Sequence, residues 1–173
     1  DDTASVATFS WGKPTDQSSY FTFDGNGSDL GSPPGSTSLD NLFSLGTFTY
    51  YNSVTRQDKI YGVDFTVDMN ITDYGPAALL FSMLITDTPD TSDPVASADT
   101  VRIGNMADVA NPFTFSVSGQ LYSFQLMGFS RDGGLTFEDV AISREMTSTS
   151  ADIYGRITAV SAVPVPAAVW LMG

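Results

Sequence analysis

Neither cysteine nor histidine occurs in this chain of 173 residues, and lysine is confined to Lys13 and Lys59. The first absence removes disulfide frameworks, thiolate metal sites and cysteine nucleophiles. The second removes the commonest general base, the commonest transition-metal ligand and any Ser-His-Asp triad. Positive charge is scarce, with seven Lys plus Arg against twenty Asp plus Glu and a net charge of -13. A surface of that sign repels nucleic acid and anionic lipid, so neither is an expected partner, and cations are the compatible ligands. Glutamate is rare too, at Glu138 and Glu145 only. No sustained 3.6-residue apolar stripe with caps runs through the chain, which speaks against a helical fold. At this length a single domain buries roughly 70% of its unfolded surface and needs no metal or disulfide to fold.

What is present is β patterning. Val63–Ile71 alternates apolar and polar residues without interruption, as a strand with one wet face does. Ala78–Ile85 is apolar at both parities and follows the turn Asp73-Tyr74-Gly75-Pro76, so it reads as a strand buried on both sides, with a short core helix as the rival. Further alternations lie at Tyr20–Phe23, Phe113–Val117, Leu121–Phe129 and Ile153–Ile157. Turn clusters separate them at Asp24–Asp29, Gly31–Gly35, Asp87–Pro94, Ser118-Gly119 and Arg131–Gly134. About seven to ten strands with such punctuation predict an all-β fold, an antiparallel β-sandwich or jelly roll. We expect one domain over residues 1–159 and an extended apolar tail over 160–173.

That tail is the unusual segment. Ala159–Gly173 carries no charge and contains Pro164 and Pro166. It is shorter than the roughly 18 to 20 apolar residues of a membrane span, yet its side chains are worth about 1.5–3 kcal/mol each if buried. Added as a strand to a neighbouring sheet it would be covered and its backbone paired. The two prolines, two residues apart, remove donors from one edge only of such a strand. Ala4–Phe9 is the alternative donor. The opening Asp1-Asp2-Thr3 has no basic or apolar signal region. A mature end left by signal cleavage and an ordinary cytoplasmic boundary would both look like this.

Two stretches carry a resemblance. Val163-Pro164-Val165-Pro166-Ala167-Ala168-Val169-Trp170-Leu171-Met172-Gly173 resembles the opening of a PEP-CTERM sorting signal of the V-P-x-P-A-A-x-W-L-x-G variety, with Val165 where the eponymous Glu would stand. The match covers the first part of that signal, ahead of its apolar span and basic end. The body resembles the THxN-motif, or choice-of-anchor, domains, through Phe9-Ser10-Trp11-Gly12, Leu45–Asn52, the segment from Asp87-Thr88-Pro89-Asp90 to Asp99, and Tyr122–Phe129. Thr49 and Asn52 keep the motif, whereas Tyr50 replaces its His, which excludes a metal or acid–base role for that position here. The resemblance implies a protein secreted by a Gram-negative bacterium and sorted to its surface by an exosortase-type enzyme, in an exopolysaccharide or biofilm setting, with no established enzymatic activity.

Two acidic clusters are candidate cation sites. Asp24, Asn26, Ser28 and Asp29 place oxygens at close intervals between glycines, but the twelfth position is Gly35 rather than Glu, which excludes an EF-hand. A turn using Asn and Gly for positive φ is the simpler reading. Asp87, Asp90, Asp93 and Asp99 form the second cluster, either a solvated loop, the simpler reading, or carboxylates sharing calcium. A glycosidase needs two carboxyls across a groove, and no motif singles out such a pair. No catalytic residue is therefore named. Of the aromatics, Trp11, Tyr50, Tyr51 and Tyr74 lie near turns and would suit a sugar-stacking platform, although core packing is the ordinary fate of such rings. These readings converge on a non-enzymatic extracellular structural protein, surface-sorted or assembled by strand donation into a homopolymer such as a biofilm-matrix filament. The alternative is a monomeric, calcium-dependent polysaccharide-binding or adhesion module.

Overall fold

Alternating side chains dictate strands with one buried face, and two such sheets cover each other's apolar sides. The computed structural model describes residues 6–11, 18–25, 42–54, 59–71, 75–104 and 113–160, with 59–61, 67–71 and 76–79 described through their backbone only. The strands are β1 (Val6–Trp11), β2 (Ser19–Gly25), β3 (Leu42–Asn52), β4 (Lys59–Ile71), β5 (Gly75–Asp87), β6 (Asp99–Ile103), β7 (Phe113–Val117), β8 (Gln120–Ser130), β9 (Val140–Ser143) and β10 (Thr147–Ala159). They form a six-stranded sheet, β1-β2-β3-β10-β8-β7, and a four-stranded sheet, β4-β5-β6-β9. Every pairing is antiparallel. The expected antiparallel sandwich is what the chain forms, with no helix among the described residues.

The periodicities place most of these strands. Within β4, Phe65 is buried while Asp64 and Thr66 face solvent. Ser118-Gly119 closes the β7–β8 hairpin with φ of 50° and 81°, the paired positive values of a two-residue turn matched to strand twist. The reading of Ala78–Ile85 needs correction on one point. It is a strand, part of β5, but among its described side chains Phe81, Met83 and Ile85 enter the core, while Leu80 is 68% and Leu84 40% exposed. A two-layer sandwich leaves the outer face of each sheet uncovered, so apolar residues of both parities cannot all be buried there.

Aromatic rings dominate the interior. Trp11, Phe21, Phe23, Phe48, Tyr50, Phe65, Phe81, Phe115, Phe124 and Phe129 are all buried, packed with Met83, Ile85, Val101, Ile103 and Ile153. Phe23 of β2 meets Phe65 of β4 edge-on, 4.6 Å between centroids, and so joins the two sheets. Gly46 lies opposite Ile153 but Ser44 lies opposite Tyr154, which makes Leu45 the extra residue of a β-bulge. A second irregularity falls beside it, where Tyr154 faces Gly128 and Gly155 faces Leu126. A Cβ at Gly46, whose φ is +152°, would collide with the Asp24 carbonyl oxygen and come within 2.6 Å of the Phe23 ring. Only glycine fits there.

The register also separates the two ends of the molecule. At one end Thr147 of β10 lies opposite Asn52 of β3. At the other, Ala159 lies opposite Tyr122, and the Val160 amide still donates to the Leu121 carbonyl at 2.9 Å. The 13 residues of β10 set these ends about 40 Å apart at roughly 3.3 Å per residue. The described chain reaches Val160 at this second end, and residues 161–173, including Val163, Pro164, Val165, Pro166, Val169, Trp170 and Leu171, lie outside the described residues. So do Asn26, Ser28, Asp29 and Tyr74.

Candidate functional site

Polar side chains are buried together at the end of the sandwich opposite the Ala159 end of β10. Strand parity turns Tyr50 and Asn52 of β3 inward, next to the segment 88–98 that links β5 to β6. Tyr50 is fully buried and its hydroxyl donates to Asp99 Oδ2 at 2.7 Å. Asp99, 1% exposed, receives at Oδ1 the Thr88 amide at 2.8 Å and the Thr88 hydroxyl at 3.2 Å. Burial and the Asp99 carboxylate push the Tyr50 phenol well above its ordinary range, so it stays protonated and acts as a donor. Burial raises the Asp99 carboxyl, with the bonds from Thr88 and Tyr50 working the other way. Trp11 lies stacked on Tyr50, 5.6 Å between rings.

Asn52 fastens three segments. Its side-chain amide donates to Ser97 O at 3.1 Å and Ser143 O at 3.2 Å, and its carbonyl accepts the Met146 amide at 2.8 Å. Ser143 in turn donates to the Tyr50 and Thr147 carbonyls. Thr49, the third motif position, faces the other way, where its hydroxyl meets that of Ser150 at 2.9 Å.

The second acidic cluster divides. Asp87 and Asp99 are buried and side by side, Asp90 is half-buried, and Asp93 is exposed. Asp93 Oδ1 accepts the Val95 amide at 2.9 Å, a local turn bond. Its place is taken by a residue the sequence did not single out. Glu145, in the β9–β10 turn, is 9% exposed and faces Asp90. Its amide donates to Pro94 O at 3.4 Å, and the next residue, Met146, has φ of 56°, a conformation uncommon outside glycine. Burial, then the Asp90 carboxyl and the charges of Asp99 and Asp87, push the Glu145 carboxyl up to about 7. Neither Glu145 oxygen, nor Asp90 Oδ2, accepts a hydrogen bond from a described donor. Among the described residues no three acidic side chains form a ready metal-holding group. Asp24 is exposed at the other end of β2.

The outer face of the six-stranded sheet is the second candidate surface. Thr8, Thr22, Thr49 and Ser150 line up across four strands, and beside them run Ser10, Tyr20, Tyr51 and Ser148. The Tyr20 and Tyr51 rings stack 5.4 Å apart. Trp11 and Tyr50, weighed as platform residues, are instead in the core. No protein-family model matches this chain, and no curated protein matches it.

Proposed function

We propose that this chain is a non-enzymatic extracellular structural protein, held at a bacterial surface or joined to further copies through residues 160–173. One observation carries the reading: the chain departs toward that segment from the end of β10 opposite the buried polar cluster. A sandwich tethered or linked there keeps its loop-closed end free. The chemistry of the cluster supports a structural role, since the Tyr50 phenol is a locked donor and both Asp99 oxygens are occupied. The resemblance of 163–173 to a sorting signal and the match at Thr49 and Asn52 point the same way. Secretion, exosortase-type processing and strand donation belong to this proposal.

Deleting 161–173 tests it, because that cut spares the Val160–Leu121 bond. Thermal unfolding should be unchanged while surface retention in cells, or high-mass assembly in size exclusion and electron microscopy, is lost. Retention and assembly that both survive the deletion would sink the proposal.

The hydroxyl and tyrosine rows favour a second reading, an adhesion or polysaccharide-binding module using the outer face of the six-stranded sheet. Co-sedimentation with insoluble polysaccharide, lost in a Tyr20→Ala/Tyr51→Ala variant, would support it; no co-sedimentation would remove it.

A further inference from the structure

Carboxylates at the cluster end are treated unequally by the fold. Asp99 receives three donors, from Tyr50 and Thr88, and Asp93 receives the Val95 amide. Glu145 is only 9% exposed, yet both its oxygens are without a described donor, as is Asp90 Oδ2. The Asp90 carboxyl is the neighbour that acts most strongly on Glu145, which places the two side chains next to one another. The ion pairs that the described residues make among themselves, Arg102–Asp139 and Arg131–Glu138, leave both out. Two enclosed carboxylates facing each other are unfavourable when both are ionised and dry, and are relieved either by a proton or by a cation between them.

We infer that Glu145 and Asp90 are the carboxylate ligands of a divalent-cation site, calcium by preference, that fastens the β9–β10 turn to the 88–98 segment. Glu145 comes from a different element than the aspartates, on a turn held by Met146 at positive φ and by the Met146–Asn52 and Glu145–Pro94 main-chain bonds. The side chain is thus delivered to Asp90 by backbone geometry as well as by packing. Two carboxylates balance one divalent charge. An all-oxygen set with no imidazole or thiolate selects a hard cation, and calcium completes six to eight ligands with main-chain carbonyls and water, whereas magnesium demands a stricter octahedron. With only two acidic ligands, the affinity expected is that of extracellular modules, a Kd of about 10⁻⁴–10⁻³ M. The site depends on neither the tail nor the outer sheet face, so it stands or falls separately from the functions proposed above.

The test uses the full chain at a pH above 7, melted in chelator and in calcium at about ten times the expected Kd. Mass action predicts an increase of about 3–6 °C in Tm for the wild type. Calorimetric titration should give one site per chain. Glu145→Gln should raise the chelator Tm, because its amide donates to Asp90, and should lose both the calcium shift and the titration. That variant gains stability, so misfolding does not confound it. Asp24→Asn should keep the shift. A wild type insensitive to calcium would mean that a shared proton, not a cation, relieves the pair, and would overturn the site. So would a Glu145→Gln protein that still responds, or an Asp24→Asn protein that does not.

Discussion

Tyr50 and Asp99 join the two sheets through a single short hydrogen bond, phenol to carboxylate at 2.7 Å, between the end of β3 and the start of β6. Both groups are shut off from water, so the bond matters chiefly through what its loss would expose. Tyr50→Phe keeps the ring stacked on Trp11 but leaves Asp99 Oδ2 without that donor. A buried acceptor deprived of its donor costs about 1–3 kcal/mol. Urea unfolding should show a lower midpoint with an unchanged slope.

Asn52 and Thr49 are predicted to differ although they belong to one motif. Asn52→Ala abandons two buried carbonyls and leaves a small void, a loss of about 2–4 kcal/mol. Thr49→Ala removes an exposed hydroxyl pair and should change stability by about 0.5 kcal/mol or less. Parallel denaturant titrations of the two variants would expose the asymmetry, and equal losses would contradict it.

Gly46→Ala should be among the most damaging small substitutions. The added methyl meets the Asp24 carbonyl oxygen and the Phe23 ring, in a backbone conformation that alanine avoids. We expect a loss of at least about 3 kcal/mol, or failure to fold. Soluble yield and melting temperature would register either outcome.

Stability without divalent cations should fall as pH rises through the neutral range. Glu145 titrates at about 7 in the folded protein against 4.5 as its ordinary value, so between those limits the native state holds a proton that the unfolded chain has released. Folding then weakens with increasing pH. Asp99, also raised, acts in the same direction from a lower pH. Melts in chelator from pH 5 to pH 8 should show a declining Tm, and Glu145→Gln should flatten the decline. A wild-type Tm that rose across this interval would contradict the assignment.

How much of this was legible follows from what each feature depends on. Local period alone identifies β4, β7 and β8, because one strand's alternation reports one buried face. It misjudges β5, where the exposure of Leu80 and Leu84 depends on there being no third layer among the described residues. β3 is masked by the bulge at Leu45 and Gly46, which shifts the inward parity, so Leu42–Asn52 stands out through motif resemblance rather than alternation. Glu145 could not be found by local pattern. It reaches Asp90 because β6 pairs with β9, Asp99 opposite Ser143, and that register is a property of the whole sheet. Asp93 misled for the opposite reason, since a carboxylate within its own turn has a local use that a count of acids does not reveal.

The position of β10 has a mechanical consequence. It is a central strand, paired along ten positions with β3 and eight with β8, and it ends at Ala159 at the end of the sheet opposite the polar cluster. A load between that end and the loop-closed end would run parallel to the strand and perpendicular to its hydrogen bonds. The bonds would then be sheared together rather than peeled one after another. If residues 160–173 are the attachment, the protein is gripped along the direction in which its sheet resists extension best.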